Sequence, residues 1–136
     1  MFRKYWPIAV LALGIVALAG FQYRVQLLDA LCGTTPPAPR AQIVEALEND
    51  AMILDVRMYV ETRKDDANLI PEAGNIPLLR LLWNLEELPR DKTIITFCES
   101  GKRAGKAADM LNARGFQAIS GGGILNLQNI LGETNQ

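Results

Sequence analysis

Cys98 heads a run of six residues, Cys98-Glu99-Ser100-Gly101-Lys102-Arg103, in which a nucleophile is followed within five positions by two cations. A thiolate is the reactive form of cysteine, and nearby positive charge, backbone N–H groups and a helix N-terminus each favour it over the thiol. Lys102 and Arg103 would be poorly placed at an ordinary helix start, because cations oppose the positive end of the helix dipole. An anion bound there would account for them. The pattern therefore points to attack by Cys98 on a small anionic substrate, held by a loop of Glu99, Ser100, Gly101, Lys102 and Arg103. Gly101 suits the restricted backbone of so tight a turn. Glu99 opposes the positive field, at little cost if its side chain points to solvent.

This chemistry has to run without histidine, which the chain lacks. Cys–His and Ser–His pairs and the commonest zinc ligand are thereby removed, and neither a metal nor a cofactor is expected. Two cysteines occur, Cys32 and Cys98, and their separation and context suggest free thiols, not a disulfide framework. Cys32 reads as a small apolar residue near a membrane surface. With 14 basic and 15 acidic residues the formal net charge is −1, which leaves no footprint for a nucleic-acid partner.

Presenting Cys98 at a strand end needs an α/β framework, and the pattern supplies one. Ala41, Val44, Ala46 and Leu47 fit a short amphipathic helix, and residues 51–56 (Ala-Met-Ile-Leu-Asp-Val) read as a buried strand. Asn68-Leu69-Ile70 before Pro71 reads as another strand, and Leu78, Leu79, Leu81, Leu82 and Leu85 as a helix ended by Pro89. Thr93-Ile94-Ile95-Thr96-Phe97 is the clearest strand, β-branched and apolar, and Cys98 follows it directly. A helix from about Arg103 to Arg114, stopped by Gly115, comes next. Gln117-Ala118-Ile119 forms a last strand, and Gly121-Gly122-Gly123 leads into a helix over about 124–131. Strands separated by helices imply a small, mostly parallel sheet with helices on both faces, and ligands of such sheets bind at the carboxyl ends of the strands.

The first third of the chain reads as an appendage. Arg3 and Lys4 precede an uncharged apolar run from Tyr5 to Phe21. At about 17 residues the run lies between a long signal peptide and a short membrane-spanning helix. Ala17-Leu18-Ala19 matches a cleavage site. Tyr5, Trp6, Phe21 and Tyr23 match the interfacial aromatics of an anchor. Residues 1–21 are thus expected to be a signal peptide or anchor, 22–39 a juxtamembrane segment with a proline-rich linker, and 40–136 the folded domain. Both readings send the domain across the membrane, to the periplasm or an equivalent extracytoplasmic space.

The ordered motifs resemble the rhodanese (thiosulfate sulfurtransferase) family. They are Ile53-Leu54-Asp55-Val56-Arg57, Ile70-Pro71-Glu72-Ala73-Gly74-Asn75-Ile76-Pro77-Leu78, Cys98-x-Ser100-Gly101-x-Arg103 and the pair Gly122-Gly123. Single-domain size, the export segment and the run from Gly101 to Ala107 are most similar to the family's periplasmic phage-shock branch. The resemblance implies a parallel-sheet fold and a ping-pong reaction. In it, Cys98 takes the outer sulfur of thiosulfate, releases sulfite, and passes the persulfide sulfur to a thiol or cyanide. It also implies architectural roles for Asp55 and Arg57. Departures from the family pattern are Asn68-Leu69 in place of Gly-His, Ala104 in place of Ser or Thr, and no aromatic residue after the glycine pair. Two other readings compete: a Cys-dependent phosphatase on the same fold, and a non-catalytic module that carries a persulfide or binds a partner. The phosphatases need Cys-x5-Arg to wrap a tetrahedral phosphate, whereas Cys98 and Arg103 give Cys-x4-Arg.

Overall fold

A computed structural model describes residues 35–64 and 70–134, which fall within one compact unit, Thr34–Gln136. The apolar run 5–21, the segment up to residue 34 with Cys32, and Asn68-Leu69 lie outside the described residues. Among the described residues no helix is long and apolar enough to cross a membrane.

Four strands carry the domain: β1 (Met52–Asp55), β2 (Gly74–Asn75), β3 (Thr93–Cys98) and β4 (Gln117–Gly123). They pair in the order β2-β1-β3-β4, and every pairing is parallel. The helices are α1 (Arg40–Glu48), α2 (Tyr59–Lys64), α3 (Lys102–Asn112) and α4 (Ile124–Thr134). Side chains alternate across a strand, and β3 shows what that does here. Ile94 and Cys98 join the core beneath α3 with Leu54, Ala104, Ala107, Ala108 and Leu111. Ile95 and Phe97 face the other way, into a core with Ile43 of α1 and Ile124, Leu127 and Ile130 of α4. The small residues of α3 let it lie close on the sheet. Buried Thr96, whose backbone lies between the two cores, shares its hydroxyl hydrogen between the carbonyls of Ala104 at 2.8 Å and Ile119 at 3.2 Å, tying α3 to β3 and β4.

Several elements differ from the sequence expectation. Ile70 is not in a strand: the Ala73 N–H donates to its carbonyl at 3.0 Å in a turn, and its side chain is buried in the core that contains Ile53, Ile95 and Phe97. The strand beside β1 comes later, at Gly74–Asn75, where the Asn75 amide donates to the carbonyls of Asp55 at 2.9 Å and Arg57 at 3.0 Å. The leucine-rich helix expected over 78–85 is two tighter 3-10 segments, Leu78–Trp83 and Leu85–Glu87. Asn84 separates them, its side-chain amide bonded back to the Arg80 carbonyl at 2.7 Å. Leu81 is buried and Leu78 and Leu85 pack partly against the same core, whereas Leu79, Leu82 and Trp83 are exposed, so the apolar face of these segments is narrow. The sequence reading has no helix at Tyr59–Lys64. At the other end β4 runs on to Gly123 and α4 to Thr134, beyond the bounds expected for both.

The edge strand β4 is met by the segment before α1. Ala38 N–H donates to the Ser120 carbonyl at 2.7 Å, and Pro37 lies against Gly122. Thr35 bonds the Asp109 carboxylate on α3 through both its N–H, at 3.2 Å, and its hydroxyl.

Candidate active site

Cys98 is the last residue of β3 and is completely buried, so its sulfur lies at the floor of the turn between β3 and α3. The Gly101 N–H donates to Sγ at 3.2 Å. Gly101 caps α3 with φ of 92°, a left-handed conformation that folds the turn back over the sulfur and that an L side chain rarely adopts. A carbon on Gly101 would also press on the Gly122 backbone at 3.2 Å.

The floor comes from β4. Between Thr96/Phe97 and their partners the register slips, so that Thr96 pairs with Ser120 but Phe97 with Gly122 and Cys98 with Gly123. Such a bulge bends a strand and re-aims the residues beyond it. Here it slides Gly123 under the loop so closely that a carbon on it would stand 2.9 Å from the Glu99 carbonyl oxygen. Gly123 therefore lets two backbones touch, whereas Gly122 answers to its left-handed φ of 81° and to the Pro37 ring, 3.1 Å from where a carbon would stand.

Two guanidinium groups border the turn. Arg57, just beyond β1, is fully buried and is gripped by Asp55. Its Nη2 and Nε reach Oδ2 at 2.8 and 2.9 Å, and its own N–H reaches Oδ1 at 2.9 Å. Its guanidinium also stands 5.9 Å from the centre of the Phe97 ring. Nη1 of Arg57 faces the Glu99 carboxylate at 3.5 Å. Glu99 is 57% exposed and leans toward Arg57. Arg103 is half-buried at the start of α3 and is held by Glu61, with Nη1–Oε2 at 2.6 Å and Nη2–Oε1 at 2.8 Å. That bond holds the Glu61 carboxyl down to about 2, against a burial cost that pushes the other way. Arg103 is raised above its ordinary value first by the same bond and further by the Cys98 sulfur.

Of the residues singled out from sequence, Cys98, Gly101 and Arg103 thus converge, and Glu99 reaches the site through Arg57. Lys102 and Ser100 belong to the same turn with exposed side chains. Asp55 and Arg57 form a support beside it. Glu61 was missed. Its signal was half a capping box: as the third residue of α2 it accepts the Met58 N–H at 2.8 Å, but Met58 lacks the hydroxyl that completes the motif. A surface depression of about 440 Å³, bordered by Gln42, Thr93, Asn112 and Gln117, lies at the amino ends of β3 and β4, the opposite end of the strands from Cys98.

A profile of the Rhodanese-like domain matches residues 40–127. A sulfurtransferase of Allochromatium vinosum is 28% identical over 79 residues, 58% of this chain and 66% of that protein. A tRNA sulfurtransferase of Desulfurococcus amylolyticus is 30% identical over 77 residues, 57% of this chain but 14% of that protein. Among solved structures, reduced CoADR-RHD of Bacillus anthracis superposes with a TM-score of 0.59 at 31% identity, over 78% of this chain and 19% of that one. The chain thus spans between 14% and 66% of the length of the curated relatives it matches. A small parallel sheet flanked by helices, the strand-end cysteine turn and a profile covering most of the chain agree: this protein belongs to the rhodanese-like domain family.

Proposed function

We propose that the chain is a sulfurtransferase that carries sulfane sulfur as a persulfide on Cys98. In the half-reaction with thiosulfate, the Cys98 thiolate attacks the outer sulfur, the sulfur–sulfur bond of thiosulfate breaks, and sulfite leaves with the bonding pair. An acceptor thiolate or cyanide then attacks the outer sulfur of Cys98–S–S⁻ and frees the thiolate again. Thiosulfate stands here for a small anionic donor.

The observation that carries this reading is the contact of Cys98 Sγ with the Gly101 N–H at 3.2 Å, with Arg103 close by. Negative charge on a terminal sulfur would be met by a backbone dipole and a guanidinium already in place, without reorganisation during the reaction. The relatives named as sulfurtransferases support the same chemistry. Glu99, Ser100, Gly101, Lys102 and Arg103 form the donor-binding loop in this reading, and Asp55 and Arg57 its support.

The purified full chain treated with thiosulfate should gain one sulfur atom, read by intact mass, and release one equivalent of sulfite. Cys98→Ser should gain none. Loading that survives Cys98→Ser, or phosphate release from an aryl phosphate in its place, overturns the reading. Export, as in the periplasmic phage-shock branch, belongs to the same proposal and rests on residues 5–21. Protease added to spheroplasts should digest the domain, and protection would count against export.

A further inference from the structure

We propose that Glu99 makes this site selective for sulfur donors of low negative charge, disfavouring dianions such as thiosulfate relative to monoanionic or zwitterionic persulfides; the proposal rests on the sulfur-transfer reading above. The motivation is the way the cations at the loop are already spent. Asp55 takes two nitrogens of Arg57, and Glu61 takes both terminal nitrogens of Arg103. Glu99 then adds a third carboxylate within the loop itself, 3.5 Å from Arg57. Among the described residues, and with Lys102, these make three cations against three carboxylates. The Cys98 thiolate leaves this set of side chains with one net negative charge.

A donor must bring its sulfur to Cys98 past that rim. The repulsion it meets scales with its charge, and because Glu99 and Lys102 are exposed it is strongest at low ionic strength. Glu61 and Asp55 are bound to the guanidinium groups in good geometry and belong to the framework. Glu99 is the carboxylate that lies half-exposed, in long and imperfect contact, and so it is the one whose field an approaching donor meets. Charge discrimination, and not the shape of a pocket, is what this rim offers.

Cysteamine persulfide is a suitable probe against thiosulfate. The thiolate of Cys98 attacks its terminal sulfur, the persulfide bond breaks, and cysteamine leaves as a thiolate that takes a proton from water, so both donors yield the same Cys98–S–S⁻. Loading rates of the full chain are measured with each donor by intact mass, for the parent and for Glu99→Gln. The ratio of thiosulfate rate to cysteamine persulfide rate should rise about tenfold in Glu99→Gln at low ionic strength and fall back as salt is added. Glu99→Lys should raise it further. An unchanged ratio in both variants, with Cys98 still loaded by both donors, overturns the selectivity and leaves sulfur transfer standing. Loading by neither donor in the parent chain overturns both.

Discussion

Glu61 and Arg103 lie 42 positions apart in the chain, yet the two oxygens of one meet the two terminal nitrogens of the other at 2.6 and 2.8 Å. This pair fixes α2 to the first turn of α3 and aims the guanidinium toward Cys98. A fork-to-fork contact specifies direction as well as charge, and a lysine at position 103 could not reproduce it.

That pair sets an acid limit on stability. Glu61 has an ordinary value of 4.5 and is held at about 2 in the fold. A depressed carboxyl stabilises the fold fully above its unfolded value, and the contribution is lost as pH falls toward the folded one. The contribution should be complete above about pH 4.5 and fade as pH falls toward 2. Thermal melts of the parent and Glu61→Gln across this range check it: the gap in Tm should be constant near neutrality and close in acid. A gap independent of pH would mean that the charge of Glu61 contributes nothing.

Two glycine substitutions should act in opposite directions. Gly123→Ala places a methyl group 2.9 Å from the Glu99 carbonyl, so backbone must move, with an expected cost of about 1–3 kcal/mol. Because the displaced segment is the cysteine turn, sulfur loading should fall more steeply than stability does. Gly132→Ala, inside α4, meets nothing within 4 Å and should stabilise by roughly 0.5–1 kcal/mol through helix propensity alone. Denaturant midpoints and loading rates for the two variants test the contrast. Equal effects would contradict it.

The buried Asp55–Arg57 pair should be costly to break from one side. Asp55→Ala strands much of the charge on a fully buried guanidinium, and a loss of about 3 kcal/mol is expected. Asp55→Asn retains one acceptor oxygen and should lose clearly less. Urea unfolding distinguishes them, and equal losses would show that packing, not the ion pair, is at stake.

The parts of the fold that were legible in the sequence are those in which local pattern and tertiary role coincide. Thr93–Phe97 is apolar on both faces because helices cover both sides of β3, and the turn Cys98–Arg103 could be read from its glycine and its cations. The strand at Gly74–Asn75 could not be read that way. Two residues without apolar side chains become a strand because β1 offers an open edge and Asn75 can bond two of its carbonyls. Helix α2 was hidden for a related reason. Tyr59, Val60 and Thr62 are modest helix formers, and the six-residue segment is too short to stand without tertiary contacts such as that of Glu61 with Arg103. In the candidate site, position within the loop was legible, whereas the partner of each charge was not, since ion pairing across 42 residues leaves no periodic trace.

The segment ahead of α1 has a bearing on solubility. An edge strand presents unpaired amide and carbonyl groups to any passing chain, and that is how sheets recruit one another into aggregates. Along β4 the neighbouring segment is Thr35-Pro36-Pro37-Ala38-Pro39, in which Ala38 makes its single bond to Ser120 between residues that have no amide hydrogen to give. Proline there covers the border of the sheet and cannot itself extend it. This short stretch therefore works as a selvedge, finishing the β4 side of the weave at Ser120, where an added strand would meet proline instead of open amides.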